Sequence, residues 1–387
     1  MAYISYTGLT TPNEVLGKIA EYITAQGYTV IQPLADDVDV YTKSNVDGKK
    51  FCFLDSTGTY YIVLRSANGY NIFGVDDETV MDVTTPDTNS SYTGIGMTVG
   101  ENYSASQRWY NQFRVPLKYD SSTNWQSNEA EVLGVFMPVK VDVNFSYTLF
   151  CNRVTQPTET LVFSIVKEND EYRQCAHLVV GNIKKFGNQL QNTLWNGGLI
   201  FSGSATRYML ETANGVFNHD VLSDENILPV LSSGIQSNTF LRIDIDNAPS
   251  EARHYIMWAG SGTDNITGKK LSLPVRTGTN MNGQIPNYYG LQSKDRLDWG
   301  RNINTLNCLT IDMPLYVAVL VDPDAQNLYA AVGIISGVYY ISTLNMQTGG
   351  VYERDYPDSA KLAQIFPFGK RRGYYGFDGF SVKQYTD

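Results

Sequence analysis

The chain has 387 residues, 42% hydrophobic and 12% aromatic, which is too apolar for a disordered chain and long enough for two or three domains. Only 18% are charged and the net charge is −10, so no broad basic surface exists to neutralise phosphates, and nucleic acid is not an expected partner. Twenty-seven Tyr beside sixteen Phe, with many Gly, Asn, Thr and Ser, favour pleated strands and turns over helices.

Met1 to Tyr6 offer no basic segment followed by an apolar run, and about 18 successive apolar residues occur nowhere. Neither a cleaved export signal nor membrane insertion is expected. One helix is well signalled. Thr11 suits its N-cap, Pro12 its first position and Glu14 the carboxylate of a capping box, while Val15, Leu16, Ile19, Ala20 and Ile23 repeat at helical spacing up to Gly27. Strand-like runs follow at Val38 to Lys43, Lys49 to Leu54, Tyr60 to Ser66 and Tyr70 to Val75. They are punctuated by Asp47-Gly48, Ser56-Thr57-Gly58 and Asn68-Gly69, which are hairpin signals. Residues 1–78 therefore read as one domain, a helix packed on an antiparallel meander.

The stretch Asp76 to Gly96 is polar and without periodicity, and reads as a linker or long surface loop. Residues 97–387 form a β-rich body with two candidate subdomains, 97–210 and 211–387. Its strand-like runs are Val132 to Phe136, Val139 to Phe150, Glu159 to Lys167, Gln174 to Ile183 and Leu199 to Gly203, then islands at Thr239 to Ile245 and His254 to Ala259. Leu315 to Val321, Leu328 to Ile335 and Val338 to Ser342 complete the set, the last two separated by a turn at Ser336-Gly337. The expected fold is mainly β: antiparallel sheets in a sandwich or distorted barrel, with a short N-terminal helix packed on a β-meander.

Catalytic motifs are missing from the text. It has no Gly-x-Ser-x-Gly elbow, no phosphate-binding Gly-x-x-x-x-Gly-Lys-Ser/Thr loop and no dinucleotide fingerprint. His177, His219 and His254 have no metal-ligand spacing and read as structural; no catalytic residue, metal or cofactor is expected. Cys52, Cys151, Cys175 and Cys308 are widely separated and read as buried thiols. The carboxylates of Asp36-Asp37-Val38-Asp39, Asp76-Asp77-Glu78 and Asp244-Ile245-Asp246 offer oxygens to a hard cation but also suit solvated loops. Trp109, Trp125, Trp195, Trp258 and Trp299 suit either the β core and subunit contacts or platforms for sugar rings. The cluster Lys370-Arg371-Arg372 reads as a subunit salt-bridge patch.

One segment carries a likeness. Glu171-Tyr172-Arg173-Gln174-Cys175-Ala176-His177-Leu178-Val179-Val180-Gly181-Asn182-Ile183-Lys184-Lys185-Phe186-Gly187, followed by Gly197-Gly198-Leu199-Ile200-Phe201, resembles virion structural proteins of tailed bacteriophages. The opening helix and meander, and the close Ile365-Phe366-Pro367-Phe368-Gly369-Lys370 with Gly373-Tyr374-Tyr375-Gly376-Phe377, are similar to the start and end of such proteins. The loop Asn188 to Asn196 is longer than in the simplest pattern. The resemblance implies a non-enzymatic component of the tail, baseplate or neck, made in the host bacterial cytoplasm and built into the virion. Its partners would be copies of itself and other virion proteins, and its expected interaction residues are Lys184, Lys185, Trp195, Lys370, Arg371 and Arg372. The alternative is a receptor-binding or carbohydrate-binding tail protein that engages host-surface glycan; a wall-degrading hydrolase is a third reading.

Overall fold

The computed structural model describes residues 3–37, 48–68, 93–100, 102–107, 109, 112, 135–139, 143, 146–168, 175–185, 199–203, 205–206, 239–242, 254–257, 313–322, 328–342, 347–353, 362–367 and 378–384. The protein is mainly β, built from antiparallel sheets, one of them curled into a half-barrel, and a single short helix.

Strand β1 (Tyr3–Leu9) leads into helix α1 (Pro12–Ala25). Thr11 caps α1 by accepting from the Glu14 amide, while the Glu14 carboxylate accepts from the amides of Thr10 and Thr11. This reciprocal arrangement satisfies amides that have no partner within the helix. Gly27, at φ +78°, ends the helix. The stripe read from the sequence is the buried one: Val15, Leu16, Ile19 and Ile23 are wholly inaccessible. Each stabilises the fold by roughly 1.5–3 kcal/mol relative to exposure. No described helix is long and apolar enough to cross a membrane.

The smaller sheet contains β2 (Val30–Asp36), β3 (Lys49–Leu54), β4 (Tyr61–Asn68), β5 (Thr93–Gly100), β6 (Val135–Pro138) and β11 (Ala205–Thr206), paired in the spatial order β11-β6-β5-β4-β3-β2. The larger sheet runs β1, β7 (Tyr147–Val154), β8 (Thr160–Lys167), β9 (Cys175–Lys185), β15 (Leu328–Ser342), β18 (Asp378–Gln384), β17 (Leu362–Pro367) and β16 (Val351–Glu353). Branching from it are β10 (Leu199–Gly203), β12 (Thr239–Arg242), β13 (His254–Met257) and β14 (Met313–Asp322). Strand β9 is the fork. Strands β8 and β10 flank it on its two edges, and from Ile183 to Lys185 it pairs with β15.

In chain order the described strands pass between the two sheets four times, at β1 to β2, β6 to β7, β10 to β11 and β11 to β12. The chain leaves β1 of the larger sheet, runs through α1 and enters β2 of the smaller; later it passes from β10 of the larger sheet into β11 of the smaller within three residues. Between the sheets lies one core, made by α1 together with Phe51, Phe53, Ile62, Leu64, Ile95, Met97, Leu149, Cys151, Phe163, Ile165, Leu178 and Val180. Alternation assigns these residues to one face of each strand. The opposite face of β7–β9 is covered by β17 and β18: Phe366 meets Phe150 and His177, and Phe380 meets His177.

Several expectations need correction. Residues 93–96, read as the end of a linker, open the buried strand β5; residues 76–92 lie outside the described set. Glycines that resemble loop punctuation serve here as room for aromatic rings, because Gly96 faces Trp109 and Gly94 faces Phe136. Ser336-Gly337, read as a turn, lies inside the continuous strand β15. Gly337 has φ +69° and a Cβ there would run into Val154, so the pair forms an irregularity, not a reversal. It is the point where the edge of β15 changes partner from β9 to β18. The strand expected from Val139 begins only at Tyr147, and the one expected from Val132 spans Val135–Pro138. Strands β1 and β2 were not among the expected runs, while Val38 to Lys43 and Tyr70 to Val75 lie outside the described residues.

Candidate functional site

Among the expected interaction residues, Lys184 and Lys185 are consecutive in β9, paired with Ile334 and Gly333 of β15, and Lys184 is exposed. Trp195, Lys370, Arg371 and Arg372 lie outside the described residues. Trp109, weighed as a sugar platform, is wholly buried against β5 and belongs to the interior. Trp125, Trp258 and Trp299 also lie outside the described residues.

Among the described residues, titratable groups gather in three places that bear on the fold. The first is on the face of the smaller sheet turned away from α1. There the sequence KKFCFL buries both faces of β3: Phe51 and Phe53 enter the core, and Lys50 and Cys52 point to the other side. Asp37, just past β2, is ion-paired with the Arg65 guanidinium of β4 and with Lys50 Nζ at 3.5 Å. All three side chains are buried, and Lys50 also stands 5.9 Å from the Tyr103 ring. Burial, then Cys52 and Asp37, push the Tyr103 phenol up to about 12. Sequence reading offered Asp36 and Asp37 to a cation or to solvent. The structure gives Asp36 to Lys49 and Asp37 to Arg65 and Lys50. The sequence shows Lys50 and Arg65 only as cations bordering apolar runs, and nothing near either of them in the chain marks Asp37 as a partner.

The second cluster is inside the curled sheet. His177 of β9 is wholly buried, its Nδ1 3.0 Å from the Ser164 hydroxyl on β8 and its ring 4.5 Å from that of Phe380. Burial pushes the imidazole down to about 3, so it is neutral at physiological pH. Nearby, Gln384 of β18 donates to the Asn152 carboxamide oxygen of β7 at 2.6 Å. His177 is thus a buried, neutral imidazole held between β8 and β18.

A third group ties strand ends together. Glu168 accepts from the Gly8 amide and from the Ser146 and Thr148 hydroxyls. Burial would raise its carboxyl, but these hydrogen bonds outweigh it and hold the group below the usual carboxylate range. Arg153 pairs with Glu159 at 2.5 Å across the β7–β8 hairpin and donates to the Gln26 carbonyl at the end of α1. Cys52 and Cys151 are buried free thiols whose ionisation burial pushes up. Among the described residues no group of three His, Cys, Asp or Glu is gathered as a metal site.

Chemically, then, these clusters neutralise charge in the interior, fasten hairpins and cap α1. The exposed surface offers a different material. On β1 the side chains of Tyr3, Ser5 and Thr7 are exposed, and on β2 so are Ile31 and Leu34. Helix α1 touches both strands, with Leu34 lying beside Gly17 and Lys18 Nζ 5.1 Å from the Tyr6 ring. No protein-family model and no curated protein matches the chain.

Proposed function

We propose that the chain is a non-enzymatic structural component of a tailed-phage virion, in the tail, baseplate or neck, working through contacts with copies of itself and with other virion proteins. The observation that carries this reading is the likeness of residues 171–187 and 197–201 to such proteins. That text includes strand β9, on which the larger sheet forks, and strand β10, its partner. Gly181 lies in β9 where an added Cβ would meet the Glu159 carbonyl oxygen at 2.7 Å, so the glycine permits close packing. Lys184, where β9 pairs with β15, has an exposed ammonium that can reach a carboxylate on a neighbour. The buried polar groups described above suit a rigid part whose work is contact.

Mass spectrometry of purified particles tests the proposal. Peptides of this chain at a fixed ratio to the other virion proteins are expected, and a cryo-EM map of the same particle should accept the chain. Particles that lack it overturn the reading.

A further inference from the structure

The ends of the two sheets are not alike. Strand β2 carries Pro33, two register irregularities and an ion-paired Asp36, all of which discourage another strand from pairing. Strands β16 and β11 have three and two residues, and β12 and β13 have four each. Strand β1 differs from all of these. It has seven residues, Tyr-Ile-Ser-Tyr-Thr-Gly-Leu, without proline or charge; its ladder with β7 is regular from Tyr3 to Tyr6 and has one irregularity, beyond Tyr6, where Gly8 has φ +73°. Among the described residues, nothing pairs with its other edge. Tyr3 is 40% exposed, and Ser5 and Thr7 are exposed beside it. An edge strand of this kind presents a row of backbone donors and acceptors to any incoming strand.

We propose that β1 is a self-association edge, and that its occupant is β1 of a second copy, added antiparallel across a two-fold axis at Ser5. Two features select a second copy. First, the chain carries a net charge of −10, yet Met1 to Asn13 contain no charged side chain. Two copies can meet here without the like-charge repulsion that the rest of the chain invites, and a charged partner would find no side chain to pair with. Second, the strand complements itself. In a two-fold register centred on Ser5, Tyr3 lies opposite Thr7 of the other copy, Ile4 opposite its Tyr6, and Ser5 opposite its Ser5. Aromatic residues thus face β-branched ones on both sides of the sheet, the kind of cross-strand pair that stabilises antiparallel ladders. The pairing is isologous, closes at two copies and continues the antiparallel order of the larger sheet.

This inference locates one self-contact of the proposed assembly and rests on that reading only for its setting. Its test uses the purified full chain. Sedimentation across a concentration series is expected to show a dimer at tens of micromolar. Ser5→Lys and Ser5→Glu each place like charges opposite one another and weaken the dimer about tenfold. Because Ser5 is exposed, both variants keep the wild-type circular dichroism and unfolding curve. An equimolar mixture of the two restores the dimer, since Lys then faces Glu, while Val351→Lys on β16 leaves dimerisation unchanged. A wild-type chain that stays monomeric, variants that dimerise as tightly as wild type, or a mixture that fails to recover overturns the proposal. A dimer formed by a chain absent from particles would remove the virion reading alone.

Discussion

The ring of Trp109 lies so close to the backbone of Gly96 that a single added methyl group would overlap it. Trp109 is wholly buried there, on the face of the smaller sheet turned away from α1. Gly96→Ala is expected to cost about 1–3 kcal/mol through overpacking, and Trp109→Ala about 3–5 kcal/mol through the cavity it leaves. Combining Gly96→Ala with Trp109→Phe should cost less than the sum of Gly96→Ala and Trp109→Phe made singly, because the smaller ring makes room for the methyl. Urea unfolding of the four proteins measures the coupling, and strict additivity would contradict the contact.

His177 gives the fold a pH dependence whose sign follows from its environment. The folded imidazole titrates near 3 because of burial, below the ordinary value of 6.5. Between these values the unfolded chain binds a proton that the folded chain refuses. The contribution is complete above pH 6.5 and is lost as the pH falls through 3, at about 1.4 kcal/mol per pH unit. Urea unfolding from pH 7 to pH 4 should show this slope. His177→Leu should flatten it, although the variant is less stable at pH 7 because Ser164 loses a partner.

Asp37 supplies the carboxylate between two buried cations. Asp37→Asn leaves Lys50 and Arg65 facing a neutral group in the interior and should destabilise the protein by about 3–5 kcal/mol. Asp36→Asn, which removes an exposed carboxylate paired with Lys49, should cost about 1 kcal/mol or less. Chemical denaturation of both variants compares a buried ion pair with a surface one on neighbouring residues.

The thiols of Cys52 and Cys151 should not react with iodoacetamide at pH 8 in the folded protein. Burial pushes both ionisations up and closes access. Peptide mapping after labelling, with and without denaturant, should find these two residues modified only when the chain unfolds.

Features dictated by local chemistry were legible in the sequence. Thr11, Pro12 and Glu14 announced α1, and Val15, Leu16, Ile19 and Ile23 announced its buried face, because a cap and a stripe depend on neighbours in the chain. Leu199–Gly203 was read to the residue, as an apolar run between glycines. Strand β5 was not, because TGIGMTVG has the composition of a loop until Trp109 and Phe136 fill the space its glycines leave. Strand β2 was missed because Pro33 argues against a central strand, and β2 is an edge. The Asp37–Arg65 pair joins residues 28 apart, and residues that meet across a sheet share no local signal.

The change of partner along β15 also sets an order of assembly. One edge of that strand must hold β9 on one side of Ser336-Gly337 and β18 on the other, and Gln384 of β18 reaches back 232 residues to Asn152. Contacts so distant in sequence are slow to form, since a long loop must close before any of them contributes. The side of His177 that Phe380 covers stays open until β18 arrives. A ribosome-bound chain that has emerged only as far as β15 therefore exposes an apolar, unpaired surface, and sealing it waits for β18.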